Sequence, residues 1–430
     1  MLASAALVLL MTPGLAFFYG GMVRSKSVLN MLMMSFATIG IVAPLWVLYG
    51  FSVAFGEGKS SLWGGFDWAG MKHMTTLETT INGGEYAIPL LVFAAFQLMF
   101  AVITPALISG AIADRAKFGA WMVFVVIWVS LVYFPVAHWV FDFGNADGEG
   151  AGWLAAKGVL DFAGGTAVHV NAGAAGLALA LVLGKRVGWK RDPMRPHNLT
   201  LVMLGAGLLW FGWFGFNAGS ALGANALAGQ AFFTTMVATS TAMLGWMVVE
   251  KFRDGHFTTL GAASGAVAGL VAITPACAFV TPVGALGLGL AAGAICALAV
   301  GLKWKLGFDD SLDVVGVHLV GGAVGAVSLG FIANAGDLGE GLFYGGDAAL
   351  LGKQALAVLA VGGYSFVMAF VIGKLIDLTI GFRIDPEDEV TGIDLLAHAE
   401  TGYDLHSAAG TGTGVLHGTA APKVSEGANA

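Results

Sequence analysis

The chain has 430 residues, of which 57% are apolar and 11% charged, with a formal charge of −7 and a mean hydropathy of +0.81. A charged share less than half that of a soluble domain excludes a disordered chain, a nucleic-acid binder and an ordinary cytosolic enzyme, and indicates a polytopic membrane protein. The 65 glycines fit helices packed closely through small residues. Cys277 and Cys296 both lie in apolar stretches, so there is neither a disulfide framework nor a metal-type cysteine spacing.

Crossing a hydrocarbon core of about 30 Å takes roughly 20 apolar residues. Eleven such runs occur in chain order, near 2–22, 29–55, 86–112, 119–141, 162–184, 198–219, 222–249, 257–279, 283–302, 314–335 and 354–380. The first could be taken for a signal peptide, but its basic residues, Arg24 and Lys26, follow the apolar run instead of preceding it, so we expect a membrane span. It starts almost at residue 1, so we expect a few outer residues to be missing ahead of it. With the N-terminus outside, the inner loops and the C-terminal end carry 16 of the 20 Lys and Arg residues; Lys59, Lys72, Lys157 and Lys353 fall outside. That asymmetry follows the positive-inside rule and places the C-terminus in the cytoplasm. We expect a membrane domain over 1–381 and a cytoplasmic tail over 382–430, acidic at Asp385–Glu389 and then rich in Gly, Ala, Thr and Ser.

The chain carries a weak internal echo. Val168–Gly176 resembles Val317–Gly325, and each histidine, His169 and His318, has an aspartate eight residues before it, Asp161 and Asp310. Ile103-Thr104-Pro105-Ala106 similarly echoes Ile273-Thr274-Pro275-Ala276. Both pairs are offset by five spans. An odd offset inverts the second copy, as in transporters built from inverted repeats with a substrate path between the halves. The expected fold is therefore all-α and polytopic: eleven transmembrane helices in two inverted five-helix repeats, about 2–184 and 198–335, with a long eleventh helix over about 354–380.

Eight helical residues rise about 12 Å, so both histidines fall in the middle third of the membrane, one descending from the outside and one ascending from the inside. An ionisable group at that depth is costly and is a functional hypothesis by default. The alternative is a neutral imidazole bonded to a backbone carbonyl, a weaker explanation for two histidines in pseudo-symmetric positions. A metal site needs three or four ligands, and no third ligand lies at that depth on these spans.

Aromatic residues supply the other candidates. Phe96 and Phe100 share a face of the third span with Gln97 beside them, and Trp213, Phe216, Asn217 and Ser220 follow helical spacing at the outer end of the sixth. Packing is the plain reading. Aromatic faces also attract small cations, and bulky rings close a narrow passage to hydrated ions. Ser220 has a hydroxyl that can accept from a donor-rich substrate at the outer mouth. Asp161 reads equally as an N-cap and as a charge that favours nearby cations.

The segments Pro13–Gly21, Asp161–Asn171, Gly212–Ser220, Thr274–Cys277 and Asp313–His318 resemble, in order and over nearly the whole length, the ammonium transporter family, in its Amt branch among Amt, Mep and Rh proteins. The resemblance implies selective ammonium/ammonia transport by a homotrimer in the inner (cytoplasmic) membrane, each subunit with its own hydrophobic pore. It implies no enzymatic activity and no cofactor, with methylammonium as substrate analogue. Carried over residue by residue, it implies ammonium recruitment at Phe100, Phe141 and Ser220 with Trp213, a gate of Phe100 and Phe216 backed by Phe96, pore histidines His169 and His318, and a deprotonating or structural role for Asp161. Family members commonly have tryptophan where this chain has Phe141, so Trp139 and Trp153 remain alternative sources of that ring. Residues Gly392–Tyr403 resemble the cytoplasmic region that couples subunits and helps dock PII-type signal proteins in bacterial relatives. Two further readings stay open: an ammonium sensor signalling through its tail, and an Rh-type neutral gas channel, against which Trp213 and Ser220 speak. An enzyme using only the two histidines is the least supported.

Overall fold

The computed structural model describes residues 1–58, 60–72, 74, 88–144 and 148–403. Among them the structure is helical, with two isolated bridges, Ala116 to Arg383 and Asn334 to Glu340. The long helices are α1 (Leu2–Met22), α2 (Ser25–Phe55), α3 (Leu90–Ile112), α4 (Phe118–Phe141), α5 (Gly165–Leu183), α6 (Leu199–Gly219), α7 (Ala226–Asp254), α8 (Thr259–Ile273), α9 (Pro282–Leu306), α10 (Val315–Ile332) and α11 (Ala348–Thr379). Ten of the eleven are long and apolar enough to cross a membrane; α8, at 15 residues, is shorter.

The differences from the expected spans have local causes. The eighth run, expected over 257–279, loses its helix after Ile273 because Pro275 has no N–H to continue the ladder. Its supposed counterpart Pro105 instead sits inside α3, so the Thr-Pro echo does not extend to helix geometry. The seventh helix starts later than expected, at Ala226, where the Asn225 side chain accepts the Ala228 N–H at 2.9 Å, and runs on until Gly255 turns left-handed at φ 82°. The eleventh begins earlier, at Ala348, capped by Asp347. Hydropathy misplaces these helix ends because it reads apolarity and not backbone bonding.

Consecutive connections gather at opposite ends. At one end, Asp114 of the α3–α4 loop contacts Arg24 at 3.2 Å and Arg186 at 3.3 Å, and Arg186 pairs with Asp309 at 2.9 Å. At the other end, the Trp153 N–H donates to Ser61, and Gln354 bonds both backbone groups of Leu160. The segment after α11, with the short helices α12 (Pro386–Thr391) and α13 (Ile393–His398), returns to the basic-loop end. There Asp394 accepts the N–H groups of Leu29 and Asn30 at 2.9 and 2.8 Å, and the Arg383 guanidinium donates to Glu389 at 2.7 Å. The first residues of α1 and the segment 382–403 therefore lie at opposite ends of the bundle.

Helix α5 is almost wholly buried, whereas α11 leaves most of its surface open. α5 and α10 meet antiparallel: a Cβ on Gly173 would lie 2.3 Å from the Leu319 N, and one on Gly322 would lie 2.8 Å from the Gly165 O and 3.1 Å from the His169 Cβ. Only glycine allows an approach this close, and it brings the two histidine-bearing turns together.

Candidate functional site

Both histidines occupy wide, π-helical turns, His169 in Gly165–Val170 and His318 in Val315–Leu319. Such turns open the helical ladder and recur at functional sites. Each turn is anchored at its start by an aspartate. Asp161 is buried, with Oδ1 accepting the N–H groups of Gly164 and Gly165 at 2.9 and 2.6 Å. Its Oδ2 accepts the N–H groups of Thr166 and Ala167 at 2.8 and 3.2 Å and also the Thr166 hydroxyl. Asp310 does the same for α10, accepting from Val314 at 3.1 Å and Val315 at 2.7 Å. A carboxylate engaged this fully positions the helix start, which is the capping half of the expectation for Asp161.

The imidazoles of His169 and His318 face one another in the interior. Their Nδ1 atoms are 3.2 Å apart, and their rings lie nearly parallel with centroids at 5.3 Å. Both side chains are buried, and His169 Nε2 has no hydrogen-bond partner among the described residues. Two Nδ1 atoms in contact share one proton, because two N–H donors cannot face each other. The ring that donates through Nδ1 then has an accepting Nε2, and the ring that accepts has a donating Nε2. The pair thus offers one acceptor and one donor to anything beside it.

Aromatic rings stack above this pair. Trp213 lies parallel to His169 with centroids 5.3 Å apart, and its indole N–H donates to the Thr274 hydroxyl at 2.8 Å. Phe216 sits 5.5 Å from Trp213 and 6.2 Å from His169. Phe100 stacks on Phe216 with centroids 4.1 Å apart. Phe96 abuts the edge of Phe100 at 4.9 Å, and a Cβ on Gly219 would lie 2.8 Å from the Phe96 ring. Phe96 thus braces the stack from behind. Phe141 stands edge-on to Phe100 at 6.5 Å and near Gly164. Ser220 is half-buried, donates to the Phe216 carbonyl at 2.9 Å, and keeps its lone pairs free to accept.

Trp213 stands beside the histidine pair: it is fully buried, two helical turns from Ser220 toward the interior. Trp139 and Trp153 are turned away from the stack. Trp139 bonds the Leu62 carbonyl at 2.8 Å and packs on Trp153 and Tyr364, so Phe141 is the ring that reaches Phe100. Asn217 turns to α7, donating to Thr235 at 2.9 Å. Sequence reasoning missed Thr274 as the partner of Trp213; the Pro275 beside it was the available signal for a broken helix end there.

Residues 1–403 match the profile of the Ammonium Transporter Family. The chain belongs to this family. It is 56% identical to an ammonium transporter of Mycobacterium bovis, over 96% of this chain and 91% of that protein. Among solved structures it is similar to Mep2 of Candida albicans, with a TM-score of 0.81 and 33% identity, covering 90% of this chain and 85% of that one. It is also similar to a sensor Amt protein, with a TM-score of 0.83 and 27% identity, covering 92% and 96% of the two chains. The ammonium transporter relatives and the helices α1 to α11 make this a multi-pass membrane protein.

Proposed function

We propose that this chain moves ammonium nitrogen across the cell membrane by recruiting the cation at an aromatic mouth and passing neutral ammonia along the histidine pair. The observation that carries the reading is the contact between His169 and His318 in the buried interior, beside stacked aromatic rings. Ammonium is drawn toward the faces of Phe100 and Phe141 and donates to Ser220. Burying the intact ion beneath Phe100 and Phe216 costs too much without replacement of its hydration shell. It therefore gives up its proton, and ammonia, with three donors and one lone pair, meets the one donor and one acceptor of the imidazole pair. Potassium has no proton to lose and is left at the mouth. Asp161 acts by holding the His169 turn in register, and Trp213 by fixing the plane of the His169 ring.

The eleventh crossing, α8, completes two inverted halves around this path, with the membrane domain ending near residue 381. The basic-loop end faces the cytoplasm, which places the N-terminus outside and α12 and α13 inside. The family resemblance supports a homotrimer and a PII-type partner at that inner face, and a transporter rather than an enzyme. The likeness to the sensor Amt protein favours a second reading, in which the pore binds ligand and segment 382–403, tied to the inner loops through Asp394 and Glu389, transmits the signal. Vesicles containing the purified protein and loaded with labelled methylammonium decide between them. A transporter equilibrates the label far faster than empty vesicles, and a sensor does not.

A further inference from the structure

A third buried histidine lies outside the pore pair. His138, in the last turn of α4, is fully buried, and both of its ring nitrogens face acceptors. Nδ1 lies 3.1 Å from the Ala54 carbonyl at the end of α2 and 3.0 Å from Asp142 Oδ2. Nε2 lies 3.0 Å from the Ser60 carbonyl. A carbonyl or an ionised carboxylate only accepts, so both nitrogens must donate, and a neutral imidazole carries a single N–H. The form that satisfies every contact is the imidazolium, with Asp142 as its counter-charge. A neutral ring would set one lone pair against another on one of its two sides. His169 and His318 differ in kind, because they face each other and share one proton.

The bonds of this pair converge on Phe141, which lies between its two members in the chain. The helix stops at Phe141 and the backbone turns extended at Asp142. Beyond that point no further helical turn holds the ring, and its far side is fixed by what Asp142 bonds. The Asp142 N–H donates to the His138 carbonyl at 3.3 Å, its carbonyl accepts the Gly152 N–H at 2.9 Å, and its Oδ1 accepts the Gly144 N–H at 2.9 Å. On the near side, His138 and the adjoining Trp139 hold the Ser60 and Leu62 carbonyls. Phe141 is thereby clamped from both sides, and its ring stands edge-on to Phe100. The opposite charges of the clamp cancel, so it fixes the ring without placing a bare charge where a cation enters.

We propose that His138, as an imidazolium paired with Asp142, is a positioning residue for cation recruitment: it ties the last turn of α4 to the end of α2 and holds Phe141 at the mouth. The inference rests on the reading of that mouth as the place where ammonium enters. Two measurements on the full chain test it. Nitrogen-15 spectra of labelled histidine at neutral pH, with the His138 signals assigned by their loss in His138→Gln, show both ring nitrogens protonated. A neutral-tautomer signature overturns the imidazolium whatever the protein transports. Initial rates of labelled methylammonium uptake into vesicles read the positioning. His138→Gln combined with Asp142→Asn removes both charges together. It raises the half-saturating concentration about two- to fivefold, the worth of one misplaced aromatic face, and leaves the maximal rate nearly unchanged. In a Phe141→Ala background, where the ring is already gone, the same pair adds no further shift. An equal shift in that background, or an unchanged half-saturation in the folded pair variant, overturns the proposal. Should the pair variant not fold, Asp142→Asn alone is read as the difference between its shifts with and without the Phe141 ring, which cancels the effect of the bare charge. Wild-type vesicles that take up no label contradict the transport reading instead. The same cycle is then read from binding of labelled methylammonium to the purified variants, with the same two outcomes.

Discussion

The bundle buries polar side chains in two regions and equips them differently. At the basic-loop end, Asp309 receives the backbone N–H, Nε and a terminal nitrogen of Arg186 at 2.8 to 2.9 Å. Arg115, fully buried beside it, donates to Ser311 at 2.6 Å and to the carbonyls of Ala111 and Asp309. In the middle of the bundle, the histidines share a single contact, and His169 Nε2 is left without one. Buried charge at the end is held in a network of ion pairs and hydrogen bonds that fixes the structure, although Arg115 Nε and Asp114 Oδ1 have no hydrogen-bond partner among the described residues. At the centre no charge pair among the described residues surrounds the unmatched nitrogen, and an orphaned buried polar atom costs about 1–3 kcal/mol, which is what the proposed role in meeting a passing ligand would offset.

Removing a partner at the matched end has the largest effect. Asp309→Ala removes the carboxylate that pairs Arg186 and leaves that buried guanidinium with Asp114 alone, and breaking such a buried pair costs about 3–5 kcal/mol. The expected outcome is a collapse in the yield of folded protein and a much lower melting temperature in detergent. Asp161→Ala comes next, because the N–H groups of residues 164–167 lose their acceptor at about 1–3 kcal/mol per group left unsatisfied. Melting temperature and methylammonium uptake fall together, and Asp161→Asn retains part of both. Gly322→Val drives side-chain carbon against Gly165 and His169, an overpacking cost of about 1–3 kcal/mol. It lowers uptake more than its modest change in melting temperature accounts for, because it spreads the histidines.

A further effect is a pH dependence at Asp310. Burial, offset in part by Lys303 and reinforced by Asp313, raises its carboxyl from 3.8 to about 6. The folded state therefore binds this proton more tightly than the unfolded chain. The resulting stabilisation is fully present below the unfolded value and is lost as pH rises through about 6, amounting to at most about 3 kcal/mol. Melting temperatures followed from about pH 4 to pH 7 should show a loss that Asp310→Asn flattens.

The sequence made the scaffold readable where apolar runs were continuous, and less so where backbone chemistry decided. α1 runs over Leu2–Met22, as the hydropathy pattern places it. The end of α8 was not legible, because Thr274-Pro275 interrupts the helix without interrupting its apolar character. The histidines were legible as a pair from the echo of their segments and their depth along oppositely running helices. The wide turns that carry them were not, since nothing in the side chains of 165–170 or 315–319 signals an extra residue in the ladder. The stacking of Trp213 on His169 was not legible, because four residues spaced along one helix face read as one group although the face extends over about two turns.

The most direct measurement records current and labelled ammonium uptake together in proteoliposomes containing the wild type or folded variants with His169→Ala, His318→Ala or both. The account predicts that the wild type takes up ammonium nitrogen and excludes potassium, and that losing either ring abolishes uptake or lets potassium through. Uptake and potassium exclusion that survive intact in the double variant would contradict it.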